Sequence, residues 1–279
     1  MPAPTFAVTS NLDWTVSKRS LCFMGNEGEL VKYDDKVAVV RDDNGKCLGV
    51  VSPTYETVQN DDLLKLIQPM VSEGLLTVEN MGYLSHGARV FAQAKVNQEY
   101  KVVGEDYKGY VTLLNGHTGN TSVAIGSTVT RVICGNTFTS AYSDISERYR
   151  HSAGVTDRVL ESTFVIDYVN GAMKQYSEFM ETISSASCTG RQFNEFVSTV
   201  YGKDTEDMRK SFVDQLNGLF YNGKGNSGKT YHDAFCSVTE YATNYSRKTA
   251  TGRFQYSQFG EGARISNRAL RAALELAAV

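Results

Sequence analysis

The apolar and polar positions split this chain into a strand-rich first half and a helical second half. Residues 13–23 have strand character, with Trp14, Val16 and the stretch from Leu21 apolar. Residues 36–41 and 47–52 form two further apolar runs on either side of Asn44-Gly45. An Asn-Gly pair in that setting predicts a hairpin, because both residues tolerate positive φ. Pro53 ends the return strand. Asn60 stands where it can cap a helix carrying Leu63, Leu64, Ile67, Met70 and Val71, which Gly74 stops. These elements make a β-β-α unit. Residues 75–83 and 88–96 predict strands joined by Ser85-His86-Gly87. In the second, Ala88, Val90, Ala92, Ala94 and Val96 alternate with Arg89, Phe91, Gln93, Lys95 and Asn97, so one face is core. A polar loop over 104–109 leads into a strand at 110–114.

Residues 115–138, NGHTGNTSVAIGSTVTRVICGNTF, begin as a polar turn and continue as a β-branched strand over 122–134. The chain then breaks at Gly135-Asn136, with a short helix expected over 137–145. Small and polar residues this dense around one strand imply a backbone passing close to another strand or to a ligand. Beyond it the period becomes helical. Asp157 caps a long helix with a stripe through Val165, Val169, Met173, Tyr176, Met180 and Ile183. Further helices carry Phe193 to Val200, Met208 to Leu219 from a start at Asp204 or Thr205, and Tyr231 to Tyr245. A linker leads to a last helix over 262–277. Strands followed by helices, with little alternation, define an α+β fold. It has a curved antiparallel sheet with the β-β-α unit in the N-terminal half and a helical C-terminal half. The expected division is a loose arm at 1–12, a β-rich core at 13–150, and a helical portion at 151–279 packed on that core.

Composition narrows the function. The formal charge of −3 excludes a strongly basic, histone-like binder but leaves room for a local basic groove. No apolar run approaches the roughly 18 residues needed to span a bilayer, and the N-terminus lacks signal-peptide character. Five scattered cysteines without CxxC spacing point to reduced thiols in a cytoplasmic protein. Four histidines without paired spacing give no metal site, and no cofactor is expected.

Three features carry candidate chemistry. Residues 223–230, GKGNSGKT, match the phosphate-loop pattern GxxxxGK[ST], with Lys229 and Thr230 in the ligand positions. That mechanism needs a strand before the loop, and the residues upstream have helical periodicity. The second feature is the basic end. Residues 245–279 hold six cations against two acids. Arg247, Lys248 and Arg253 interleave there with Tyr245, Phe254, Tyr256 and Phe259. Cations bind phosphates regardless of sequence and exposed aromatics stack on bases; a solvated helix face with a packed linker is the plainer alternative. The polar face of 88–96, with Arg89, Phe91 and Lys95, has the same composition. The third feature is the 115–138 stretch, with Arg131, His117 and Cys134. His117 has no evident nucleophilic partner, and Cys134 reads as a small buried hydrophobe.

LGVVSPTYETVQN (48–60), the 115–138 stretch and YHDAFCSVTEYATNYSR (231–247) resemble the phage/plasmid-like family filed as a domain of unknown function, nine-three-two in its series. DWTV (13–16) and FGEGARISNRALRAALELA (259–277) fit the same resemblance. The family is found in phages, plasmids and integrative elements, and the resemblance brings no catalytic residues. In topology the chain is also similar to phage single-strand annealing proteins of the Erf and RecT kind, which work without ATP as rings or filaments. The expected function is therefore single-stranded DNA binding and annealing by a non-enzymatic homo-oligomer. Arg89, Lys95, Arg131, Arg247, Lys248 and Arg253 would neutralise phosphates, and Phe91 or Tyr256 would stack. A phage exonuclease or a single-strand binding protein are the expected further partners. The alternatives are an interaction protein such as a host-defence inhibitor, or a nucleotide-binding enzyme using Lys229.

Overall fold

The computed structural model describes residues 11–131, 137–139, 147–160 and 165–278. It is α+β, with open antiparallel sheets in the N-terminal half and helices in the C-terminal half. Strands β1 (Val16–Met24), β2 (Leu30–Arg41) and β3 (Cys47–Val51) form a meander. The turn at Asn44-Gly45 is the expected hairpin, with Gly45 at φ +70°. The helical segment after it is two short pieces, α1 (Asn60–Lys65) and α2 (Gln68–Ser72), with Pro69 opening the second. Gln59 rather than Asn60 precedes the first turn. Asn60 is buried instead, its amide donating to Leu12 O and Trp14 O at 3.2 and 2.9 Å.

The larger sheet has the order β10-β8-β7-β5-β4. It contains β4 (Leu76–Leu84), β5 (Arg89–Val96), β7 (Glu105–Gly116), β8 (Val123–Arg131) and β10 (Glu147–Tyr149). Strand β6 (Tyr100–Val102) pairs with β7, and β9 (Thr137–Thr139) pairs with β8. Two expectations change here. The polar stretch 104–109 belongs mostly to β7, because residues 100–107 fold into a β6–β7 hairpin turning at Gly104. The segment expected to start a helix at Thr137 is strand β9, drawn into the ladder of β8; residues 132–136 and 140–146, Cys134 among them, lie outside the described residues.

Six of the remaining helices are α4 (Val165–Ser185), α5 (Gly190–Tyr201), α6 (Lys210–Asn222), α7 (Tyr231–Glu240), α8 (Ala250–Phe259) and α9 (Glu261–Ala277). A shorter α3 (Val155–Leu160) precedes them. Every residue of α7 is buried, so it is the axis around which its neighbours pack. It runs on into a single π-helical turn, Tyr241–Tyr245. One hydrophobic cluster extends from Leu12 and Trp14 through Val90, Leu113 and Val129 to Met180, Phe235 and Ala273. Leu12, expected in a loose arm, is part of that core.

The density of small residues at 115–120 has a packing cause. A Cβ on Gly49 of β3 would come within 2.6 Å of Thr118 Cα, so strand and loop touch backbone to backbone. Gly87, at φ +110°, allows a similar approach of Trp14 and Arg41. Arg41 is the rivet between the two sheets. Its guanidinium lies 4.1 Å from the Trp14 ring and 5.0 Å from that of Tyr83, donates to His86 O, and pairs with Asp43.

Candidate nucleic-acid interface

Helix α8, read from sequence as linker, covers the face of β5 that was expected to be open. Thr249 caps it, accepting from Gly252 N at 3.1 Å. Phe254 and Phe259 each pack 5.2 Å from Phe91. Phe91 is therefore wholly buried and offers no ring to a base, which corrects its assignment as a stacking residue. Beside it Gln93 Nε2 donates to Gln258 Oε1 (3.1 Å) and Thr112 Oγ1 (3.2 Å), and its Oε1 accepts from Asn80. The amides of that face are thus consumed in a buried network linking β4, β5, β7 and α8.

The cations meet different fates. From within α8, Arg253 Nη1 reaches back to the preceding turn and donates to Arg247 O and Lys248 O, both at 3.1 Å. The Arg247 guanidinium stands 4.1 Å over the ring of half-buried Tyr256. Arg247, Lys248, Arg253 and Tyr256 are thus brought together, and among the described residues none of the three cations has a carboxylate partner. By contrast Arg264 and Arg268 both pair with Glu261. Arg89 is exposed at one end of β5 and Lys95 sits at the other, about 20 Å away at about 3.3 Å per residue. Lys95 Nζ is 3.8 Å from Glu79. Arg131 ends β8 opposite Tyr107, and its side chain lies outside the described residues.

Lys95 also lines a cleft of about 560 Å³ with Lys101 and Lys108 and with the acids Glu99 and Asp106, which sequence reasoning passed over. Lys101 and Lys108 lie on the strands of the β6–β7 hairpin, in which Lys101 faces Asp106 and Tyr100 faces Tyr107. The signal was the Val103-Gly104 turn, which sets two lysines seven residues apart on neighbouring strands.

The Gly/Lys loop has its anion already. Helix α6 precedes it and α7 follows. The amides of Ser227, Lys229 and Thr230 all donate to the Asp233 carboxylate, at 3.2, 3.0 and 3.1 Å, with Ser227 Oγ adding a fourth bond at 2.9 Å. Burial pushes this carboxyl up, but the bonds from Lys229, Ser227 and Thr230 outweigh it and hold it below its ordinary range. Thr230 is the N-cap of α7, its hydroxyl accepting from Asp233 N. Lys229 is exposed.

His117 is fully buried, its Nε2 3.2 Å from Asn60 Oδ1 and its ring 5.6 Å from that of Trp14. Burial, with His151 and Arg41 nearby, lowers its pKa to about 4, so the ring is neutral at neutral pH. Trp14 Nε1, Asn115 Oδ1 and His117 Nδ1 are buried without a partner among the described residues. Among the described residues no cluster of three His, Cys, Asp or Glu is placed to hold a metal, and no helix is long and apolar enough to cross a membrane.

These features define an α+β protein with a carboxylate-closed glycine loop and a basic turn clamped on an aromatic ring. The chain belongs to the family described as Domain of unknown function (DUF932), whose profile matches residues 47–273. Neither the curated proteins nor the solved structures gave a match.

Proposed function

We infer that this protein binds single-stranded DNA through its backbone and promotes annealing of complementary strands without ATP, in the manner of phage and mobile-element recombination accessories in the host cytoplasm. The observation that carries the reading is the turn Arg247-Lys248 with Arg253. It presents three cations without a carboxylate partner, two of them held in place by carbonyl bonds and by the Tyr256 ring. Such a group neutralises phosphates without reading sequence. Tyr256 lies under Arg247 and is the residue for a base or a ribose to meet if the guanidinium swings onto a phosphate.

Binding of a labelled oligothymidine, followed by fluorescence anisotropy from low to moderate salt, tests this. Three neutralised phosphates give a log–log slope near −2, at about −0.7 per phosphate. The double variant Arg247→Ala/Lys248→Ala should weaken binding and flatten that slope by about 1.4. Wild type should also speed annealing of two complementary oligonucleotides in the absence of nucleotide. No binding at low salt, or a double variant with an unchanged slope, removes the assignment.

A further inference from the structure

The β1–β2 hairpin leaves the body of the molecule. β3 pairs with β2 only over Val37–Val40, so from Leu21 to Tyr33 the two strands have no third neighbour among the described residues. The register there skips Asp34, Asp35 and Lys36 on β2, a bulge that separates the outer ribbon from the supported base. The outer ribbon exposes large apolar side chains beside the Lys32–Asp34 ion pair. Phe23 is 53% exposed, Met24 65% and Leu30 74%. Leu21 faces Tyr33 and Phe23 faces Val31 across the ribbon, so these four share one side. β1 is also an edge strand of its sheet, without a partner on its outer side among the described residues.

A bare two-stranded ribbon is marginally stable in water, and an open apolar edge invites another strand. The charges select which one. Lys18, whose ammonium donates to Pro53 O and Tyr55 O, and Arg19, 3.6 Å from Asp42, stand at the base of β1, while Glu27 and Glu29 stand in the turn at its far end, all four exposed. A strand carrying cations at one end and acids at the other complements an antiparallel copy of itself.

We propose that this arm is a self-association surface, on which a second copy of the chain docks edge to edge, β1 against β1, about a two-fold axis at Cys22. That register sets Leu21 opposite Phe23 of the second copy. It also brings Lys18 and Arg19 alongside the acidic turn of the other arm, and the two ribbons become one four-stranded sheet. A two-fold contact of this kind is closed and stops at the dimer. The proposal rests on the arm alone and not on nucleic-acid binding.

Light scattering on the full chain, without DNA, should give twice the chain mass at tens of micromolar. Phe23→Glu/Met24→Glu should halve that mass while leaving the far-UV circular dichroism unchanged. A short bis-maleimide should link two chains in wild type and fail to do so in Cys22→Ser. A monomeric wild type, a mass beyond the dimer, or a dimer that survives the double variant overturns the proposal. Should the double variant lose its fold, the cross-link decides: linkage independent of Cys22 overturns the register and linkage through Cys22 supports it.

Discussion

At the scale of single residues, burial decides more than residue type. Phe91→Ala removes a ring enclosed by Phe254 and Phe259 and should cost about 3–5 kcal/mol in urea unfolding. A surface stacking residue would cost almost nothing. The sequence showed the alternation of β5 but held no sign of what covers its second face, and an alternating strand reads the same in either case. The mixture of cations and aromatics around Arg247 and Tyr256 was legible, but the stacking of that guanidinium on that ring and the carbonyl bonds that fix Arg253 were not, since they depend on the turn. His117 yields a pH prediction. Unfolded, its imidazole titrates near 6.5; folded, it titrates near 4. Above pH 6.5 the ring is neutral in both states. As pH falls from 6.5 towards 4 only the unfolded chain takes the proton, so stability declines, by about 3 kcal/mol in total. His117→Gln should show a shallower loss of stability between pH 7 and 5, whatever its absolute stability.

At the scale of elements, α8 was the helix least visible in advance. It turns Phe254, Ser257 and Gln258 inward together, and this mixture of polar and apolar residues blurs the helical period. Ser257 donates to Phe254 O of its own helix, and Gln258 is buried because Gln93 of β5 offers it a partner, information that no local window contains. Gln258→Ala leaves one Gln93 N–H without its acceptor and should cost about 1–3 kcal/mol. With Gln93→Leu in the background the same change should cost less, a difference that a double-mutant cycle on urea midpoints would measure. The glycine loop shows the opposite case. Its letters promised a phosphate site, and three residues beyond the pattern Asp233 supplies the negative charge from within. Helical periodicity on the upstream side already told against the strand such a site requires.

At the scale of the whole molecule, a single cluster of buried side chains crosses from the first sheet to the last helix. Trp14, the one tryptophan, sits in the sheet half, whereas the helices dominate the far-UV signal. Unfolding in urea should therefore give coincident curves by Trp14 fluorescence and by circular dichroism. Two separated midpoints would show that the halves melt independently. The order of strands and helices was readable because periodicity is local. The coupling of the halves was not, because it arises where α4 and α7 meet strands distant in sequence.

The π turn at Tyr241–Tyr245 adds a last consequence. A widened turn holds one more residue than the α-helix would at that point, so it acts as a spacer that resets the angular phase of everything after it. Excising Thr243 would let α7 continue as a regular helix with its exit close to the present direction, whereas an α-helix holding all five residues would swing the exit of the chain by about 100°. In that second case Arg247 would leave the ring of Tyr256 while the buried length of α7 kept its place. The basic turn owes its orientation to a wide turn that absorbs one residue several positions upstream.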